Sequence, residues 1–230
     1  QFNYPHGISI DSQDNIFIAD SSNHRIQKFN SAGVYQSQFG GPVFFGGGSG
    51  QGQLKNPNDV AVDLDGNVFV TDSGNNRVQK FTSSGDFVSV IGSGGSGDGQ
   101  FIGLRGIDTD VQGNIYVVDA SNNRIQKLNN NGVFLKKWGS YGSGDGQFSV
   151  AAGITLDNLG YVYVVDGHNH RVQKFTTDGV YVTQFGSLGT GNSNLWYPIS
   201  IFTDNVGGVF VSDVGNKKVK KYTPTTSTGT

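Results

Sequence analysis

A nine-residue pattern, Asp-x-x-Asn-x-Arg-hydrophobic-Gln-Lys, recurs along the chain and constrains its fold more than any other feature. The copies begin at Asp20, Asp72, Asp119, Asp166 and Asp213. The last copy is weaker because Lys218 stands in the arginine position, and successive aspartates are 52, 47, 47 and 47 residues apart. A fixed period of about 40 to 50 residues is typical of propellers and solenoids, whose units bury their apolar faces only against one another.

Within one period the residues are typical of four short antiparallel strands. In the third copy, apolar or alternating segments at 106–110, 115–119, 124–128 and 133–138 are separated by turns rich in Gly and Asn. These two residues tolerate the positive φ angles of tight turns, and Asn-Gly is a strong hairpin signal. No segment shows helical periodicity. Four strands in fewer than 50 residues predict one blade of an all-β propeller.

Applied to the whole chain, the pattern predicts a single propeller domain over residues 1–222. The predicted blades lie at about 1–40, 54–92, 101–139, 148–186 and 195–222. Five sets of the first three strands are present, but only four clear fourth strands. Residues 223–230 are predicted to form a Thr- and Pro-rich tail or linker. Because the chain begins with Gln1 rather than Met, we expect a processed chain or an excised fragment.

The repeats resemble the NHL repeat. The resemblance rests on the Pro-x-Gly-Ile-x-Ile-Asp entry, the Asn-Ile-Phe-Ile-Ala-Asp second strand, the Asn-x-Arg-Ile-Gln-Lys third strand and the Phe-Gly close. It covers nearly the whole chain and implies a β-propeller of six or five blades. We therefore expect either that the five blades close a ring by themselves or that sequence outside these residues completes it.

Composition restricts the class of partner. The formal net charge of -2 provides no broad basic field, which argues against nucleic acid as the main partner. Without cysteine there can be neither a disulfide framework nor a thiolate metal site. The chain contains 36 glycines and only 15% charged residues. A Gly-rich, charge-poor composition of this kind is common in secreted and cell-surface repeat proteins, so we expect an extracellular or cell-surface location. No apolar run approaches the ~20 residues of a membrane span.

The repeated Asp and Arg pair is interpreted as architecture. An active site is normally unique, whereas this pair recurs in almost every repeat across a tight turn. The predicted structural residues are Asp20, Arg25, Asp72, Arg77, Asp119, Arg124, Asp166, Arg171 and Asp213.

The four histidines differ from the repeat and raise the question of a metal. Resemblance to amidating lyases among NHL-type propellers, which hold a metal with several channel histidines, implies a metal-dependent lyase or hydrolase as one alternative. Only His6, at the entry of a first strand, is expected at the channel, whereas His168 and His170 fall on a turn. The sequence therefore predicts no catalytic residue, no metal site and no cofactor.

Residues that vary between otherwise uniform blades are the candidates for ligand binding. Polar residues of both charges occupy the first-strand entries, the loop after blade one is longer and carries two phenylalanines, and the last connector carries a tryptophan. The candidate ligand-binding residues are His6, Asn58, Asp59, Arg105, Asp108, Phe44, Phe45 and Trp196.

These patterns favour a non-enzymatic extracellular or cell-surface scaffold that binds a protein or a carbohydrate at its channel face and inter-blade loops. Two alternatives remain open. One is a structural subunit of a surface layer or filament that self-associates through an open blade edge. The other is the metal-dependent lyase or hydrolase of the propeller type.

Overall fold

A computed structural model describes residues 1–41, 46–204 and 206–223, and this part of the chain forms five small antiparallel sheets arranged as propeller blades. The all-β fold class and the five-blade arrangement predicted from the repeat are confirmed. Blade 1 contains β1 (Pro5–Ile10), β2 (Ile16–Asp20), β3 (Arg25–Phe29) and β4 (Tyr35–Phe39). Blade 2 contains β5 (Pro57–Val62), β6 (Val68–Asp72), β7 (Arg77–Phe81) and β8 (Phe87–Ile91).

The later blades repeat this meander. The connector between blades 2 and 3 contains two short parallel strands, β9 (Ser93–Gly94) and β10 (Gln100–Phe101). Blade 3 contains β11 (Leu104–Thr109), β12 (Ile115–Asp119), β13 (Arg124–Leu128) and β14 (Phe134–Trp138). Blade 4 contains β15 (Ala151–Leu156), β16 (Tyr161–Asp166), β17 (Arg171–Thr176) and β18 (Tyr181–Phe185). Blade 5 has three strands in the described residues, β19 (Pro198–Thr203), β20 (Val209–Asp213) and β21 (Lys218–Tyr222).

A single 3-10 turn joins the second and third strands of each of the first four blades. In blade 3 it spans Ala120–Asn122 and ends at Asn123, whose φ of 52° is left-handed. Asn reaches this conformation more readily than most residues, which explains its place in the repeat. Apart from these turns the described chain has no helix, and none there is long and apolar enough to cross a membrane.

The apolar core lies between the blades. Where blades 2 and 3 meet, Phe69 and Val78 of blade 2 pack in one cluster with Ile107 and Val117 of blade 3, and Phe101 from the connector lies in the same cluster. Equivalent positions form the clusters at the other junctions. Each blade therefore depends on its neighbours for burial of its apolar side chains.

The repeated aspartate is the buried centre of each polar cluster. Asp119 accepts hydrogen bonds from Arg124 Nε at 2.7 Å, from Asn122 Nδ2 at 2.9 Å and from Gln126 Nε2 at 3.2 Å. It also accepts the backbone N–H of Ile102 at 2.8 Å. The carboxylate thus joins the second strand, the third strand and the incoming connector.

The arginine extends this cluster to the connector. Arg124 donates from its Nη atoms to the carbonyl oxygens of Ser96, Gly97 and Gln100. Arg171 makes the same contacts to Gly144 and Gln147 in the next blade. The arginine therefore holds each Gly-rich connector through the connector's own backbone carbonyl oxygens. This contact needs no connector side chains, which explains why they can be small.

In blade 5 a residue other than the one at the arginine position pairs with the repeated aspartate. Lys218 occupies the arginine position, but it is exposed and forms no ion pair with Asp213. Instead Lys220, from the glutamine position, lies 3.0 Å from Asp213 and donates to the carbonyl oxygens of Gly191 and Asn194. The sequence alignment of Lys218 with arginine therefore did not identify the residue that makes the contact.

The first strands of consecutive blades lie side by side, in the order β1, β5, β11, β15 and β19. Their backbones approach closely enough to require glycine: a Cβ on Gly106 would lie 2.8 Å from the carbonyl oxygen of Ala152, and one on Gly153 would lie 2.9 Å from Cα of Ser200. In the described residues β19 and β1 do not pack together as the other neighbouring first strands do.

We expect Arg124→Ala to destabilise the fold by about 3 to 5 kcal/mol, because it leaves a buried carboxylate without its cationic partner. The free energy of unfolding in urea measures this loss. Lys137→Ala is the control, since its ion pair with Asp98 is exposed and contributes at most about 1 kcal/mol. Equal losses for the two variants would contradict the structural role of the cluster.

A second prediction compares the two lysines of blade 5. Lys220→Ala should lower the thermal unfolding temperature clearly more than Lys218→Ala, because only Lys220 contacts the buried Asp213. Scanning calorimetry on both variants gives the comparison. A larger loss for Lys218→Ala would show that the arginine position keeps its role in blade 5.

Candidate binding face around the propeller axis

The first strands line the propeller axis, and one residue at their entry differs from blade to blade. In chain order the residues at this position are His6, Asn58, Arg105, Ala152 and Ile199. This variable set includes three of the predicted ligand-binding residues. The structure places these five positions on five neighbouring strands, and those of blades 3, 4 and 5 line a cleft.

The cleft has a volume of about 110 Å³ and opens between these three blades. Its lining residues are Arg105, Val150, Ala152, Gly167, His168, Tyr197, Pro198 and Ile199. Most of its wall is therefore apolar or aromatic, and Arg105 supplies its permanent charge.

Arg105 is half-buried and has no ion pair within the described residues. Burial lowers the pKa of its guanidinium, and no nearby carboxylate opposes that effect. A guanidinium remains protonated in proteins, so its donors stay available. A half-buried cation without a carboxylate is the feature of this face that most favours an anionic ligand group.

His168 and Tyr197 form the aromatic side of the cleft. The Tyr197 ring meets the rings of His168 and His170 edge-on, with centroids 5.6 Å and 4.8 Å away. His170 Nδ1 also accepts the backbone N–H of Tyr197 at 3.1 Å, as His24 Nδ1 accepts that of Asn56 at 3.0 Å. His170 therefore joins two blades, whereas His168 is exposed beside the cleft.

Asp59 and Asp108 have contacts between blades rather than with the cleft. Asp59 Oδ2 accepts the N–H of Ile107 at 3.1 Å, and Asp108 Oδ2 accepts that of Leu156 at 2.8 Å. Burial raises the pKa of Asp59 to about 7, and the charge of Asp108 adds to the effect. Burial also raises the pKa of Asp108 to about 6, with a contribution from Asp110. Both carboxylates serve as acceptors for the next blade's first strand.

The remaining candidates are scattered. His6 is exposed on blade 1, and Asn58 is partly buried on blade 2. Trp196 is partly exposed; its backbone N–H donates to Asp213 at 2.7 Å. Phe44 and Phe45 lie outside the described residues. Of the predicted ligand-binding residues, the structure therefore places only Arg105 in the cleft.

The predicted ligand-binding set did not include His168, Tyr197 or Val150, which line the cleft. Tyr197 and Val150 share the left-handed position just before a first strand, with φ of 50° and 57°. His168 also departs from the repeat, since Ser, Gly or Ser stands there in blades 1 to 3. The signal was present, but only the packing of three blades shows that these positions meet.

Across residues 1–41, 46–204 and 206–223, no group of three or more His, Asp or Glu side chains could hold a metal ion. The several channel histidines that the lyase alternative requires are not grouped in this part of the chain.

Comparison with known families assigns the repeats. The family model of the NHL repeat matches residues 2–29, 54–81 and 148–175, which are parts of blades 1, 2 and 4. The matched blades have the same strand register, and each has its own polar cluster of the same kind. The chain contains NHL repeats at these three positions.

Two curated proteins align with part of this NHL-repeat chain. Protein brain tumor of Drosophila melanogaster is 37% identical over 95 residues, which are 40% of this chain. Peptidylglycine alpha-amidating monooxygenase of Rattus norvegicus is 36% identical over 95 residues, or 38% of this chain. In both cases the match spans 9% of the relative's length.

Solved structures share the fold over nearly the whole NHL-repeat chain. A streptogramin B lyase structure matches 97% of it with a TM-score of 0.67 and 17% identity, covering 70% of the lyase chain. A chain in a nidogen/laminin complex matches 96% of it with a TM-score of 0.65 and 19% identity, covering 80% of that chain. At this identity the likeness shows the fold alone.

The raised pKa of Asp59 predicts a pH dependence of stability. The folded protein keeps this proton up to about pH 7, whereas an unfolded Asp loses it near pH 4. The contribution of Asp59 to stability therefore falls as the pH rises from about 4 to about 7. Asp59→Asn removes this titration, so its stability relative to the unchanged protein should increase across that window and level off above it.

Urea unfolding of both proteins at pH 4.5 to 8 measures the difference. The comparison at the lowest pH serves as the control, because the side chain at position 59 is then mostly neutral in both folded proteins. A difference that stays constant with pH, or decreases, would contradict the assignment.

Proposed function

We propose that this NHL-repeat propeller is a non-enzymatic protein-binding scaffold whose axial face holds an acidic group of its partner in the Arg105 cleft. The observation that carries the proposal is a half-buried guanidinium with no carboxylate partner in the described structure, set in an apolar and aromatic cleft. Such a site offers a strong, charge-assisted hydrogen bond together with apolar contact.

The scaffold supports this role because buried contacts fix its backbone, while the side chains at the cleft differ from blade to blade. Blades 3 and 4 hold their connectors through the buried clusters of Asp119 and Asp166, and the first strands are in close backbone contact. The cleft residues are therefore pre-positioned, which reduces the entropy lost on binding. The charge-poor, Gly-rich composition is the basis for proposing an extracellular or cell-surface location.

The compared proteins are consistent with binding but do not decide it. One fold neighbour was solved in a nidogen/laminin complex, while others are lyases by name. Arg105 favours an acidic protein segment over a neutral glycan, because a neutral sugar offers no counter-ion for the guanidinium.

We expect peptides selected from a random phage-displayed library to be enriched in Asp, Glu or a free carboxyl terminus. Arg105→Gln should weaken their binding by about 10-fold or more, since hydrogen bonds to a charged group contribute about 1.5 to 3 kcal/mol. Isothermal titration calorimetry with synthetic selected peptides measures the change. The variant should fold, because Asn58 and Ala152 occupy the same position in other blades.

Lys136→Gln is the matched control, since it removes one positive charge from an exposed site on β14, away from the axis. It should leave peptide binding within about twofold. Selected peptides without acidic enrichment, or equal weakening by both variants, would contradict the Arg105 site. Selection of neutral glycans from an array with no dependence on Arg105 would contradict the choice of a protein partner.

A further inference from the structure

The segment that leads into blade 5 carries two adjacent aromatic side chains. Trp196 and Tyr197, here termed the aromatic platform, immediately precede β19 and are 42% and 47% exposed. No other blade has two aromatic residues at these positions. The equivalents of Trp196 are Asn3, Lys55, Ile102 and Ser149, and those of Tyr197 are Tyr4, Asn56, Gly103 and Val150.

The exposure of the aromatic platform follows from its place within a blade. Ile102 occupies the Trp196 position in blade 3, which has a neighbour on each side, and is 40% exposed. Asn56 occupies the Tyr197 position in blade 2 and is exposed as well. Side chains at these two positions therefore face solvent even where blades lie on both sides.

Hydrogen bonds of the main chain hold the aromatic platform in place. Trp196 N–H donates to Asp213 Oδ1 at 2.7 Å, and the Trp196 carbonyl oxygen accepts the N–H of Gly215 at 2.7 Å. Tyr197 N–H donates to His170 Nδ1 at 3.1 Å. These contacts fix the direction in which both side chains leave the backbone, so less entropy is lost when a ligand orders them.

The same main-chain contacts form in other blades without aromatic side chains. Ser149 N–H donates to Asp166 Oδ1 at 2.8 Å, and Asn56 N–H donates to His24 Nδ1 at 3.0 Å. The fold therefore does not need aromatic rings at these two positions. Exposed Trp and Tyr side chains that the fold does not require are typical of binding surfaces, where these residue types carry much of the binding energy.

The aromatic platform and the Arg105 cleft form one continuous surface. Tyr197 belongs to both, because it lines the cleft together with Arg105. The side chain of Trp196 lies against Gly215, where a Cβ would be 2.5 Å from Trp196 Cγ. Glycine at this place leaves the space that the indole ring occupies. A ligand group in the cleft therefore has an aromatic surface directly beside it.

The charges of this surface favour an acidic partner. Arg105 has no ion pair in the described part of the chain. Asp213, which accepts the Trp196 N–H, is fully buried and paired with Lys220. Lys217, on the same turn of blade 5 as Gly215, is exposed. The surface thus offers cations and aromatic rings, while its carboxylate is already neutralised inside the blade.

We propose that the Arg105 cleft and the aromatic platform together bind an extended segment of a partner protein in which a large apolar residue or proline stands beside an acidic residue. The acidic group enters the cleft, and the apolar side chain packs on Trp196. A cleft of about 110 Å³ has the size of a side chain that bears a carboxylate, which favours a peptide over an acidic sugar ring. This inference rests on the proposed function and specifies its partner, because Arg105 selects for charge and Trp196 selects the neighbouring residue.

The first test selects peptides from a random phage-displayed library against the unchanged protein and against Trp196→Ser. This variant should fold, because Ser149 occupies the same position in blade 4. Peptides selected by the unchanged protein should carry a large apolar residue or proline next to the acidic residue, or one residue away from it. Peptides selected by Trp196→Ser should keep the acidic residue and lose this preference for its neighbour.

The second test uses isothermal titration calorimetry with one selected peptide and with the same peptide carrying alanine at the apolar position. Trp196→Ser should weaken binding of the selected peptide by about tenfold, as expected for an aromatic hot spot. It should change binding of the alanine peptide by less than about twofold, because the side chain that it contacts is then absent. Arg105→Gln should weaken binding of both peptides.

Val182→Ser is the matched control. Val182 is 45% exposed, close to the value for Trp196, but it lies on β18, the outermost strand of blade 4. It should leave binding of both peptides within about twofold. Equal weakening by Val182→Ser and Trp196→Ser would overturn the inference.

The outcomes separate this inference from the function on which it rests. Weakening by Arg105→Gln without weakening by Trp196→Ser would leave the proposed function in place and overturn the role of the aromatic platform. No effect of either variant would contradict both. If no peptide is selected, and acidic glycans on an array bind in a manner that requires both Arg105 and Trp196, the choice of a protein segment is overturned.

Discussion

The buried aspartate at the end of each second strand is the interaction on which the propeller depends. A carboxylate removed from water is costly unless every acceptor site is occupied by a donor. Asp119 meets this requirement with donors from Arg124, Asn122, Gln126 and the backbone of Ile102. Because these donors belong to different segments, the cost of an unpaired charge forces the turn, the third strand and the connector into one arrangement.

The polar clusters and the apolar junctions between blades have different structural roles. The junctions supply most of the burial, since aliphatic and aromatic side chains from adjoining blades pack together. Such packing specifies little about connector path, and the connectors are mostly Gly and Ser. The arginine contacts to connector carbonyls, as from Arg171 to Gly144 and Gln147, determine that path instead. The same scaffold then leaves the axial positions free to vary.

The sequence predicted the blades well because the repeat makes each local pattern appear several times. The predicted second and third strands of blade 3 agree with β12 and β13, and the predicted turn contains the left-handed Asn123. The binding residues were harder to predict. Asp59 and Asp108 break the repeat, yet they bridge blades through Ile107 and Leu156. A departure from the repeat can therefore serve packing as well as ligand binding.

The sequence alone determined the all-β class, the blade period and the Asp and Arg residues of the polar clusters in blades 1 to 4, because these depend on contacts within one repeat and its connector. Only the tertiary structure decided which lysine of blade 5 completes its polar cluster and which residues meet across blades. It showed that Lys220 rather than Lys218 pairs with Asp213, and that Arg105, His168 and Tyr197 share a cleft. It also showed that Ile8 is exposed although its residue type is that of a core position. The burial of such a residue depends on the side chains of a neighbouring blade, which the pattern within one repeat does not indicate.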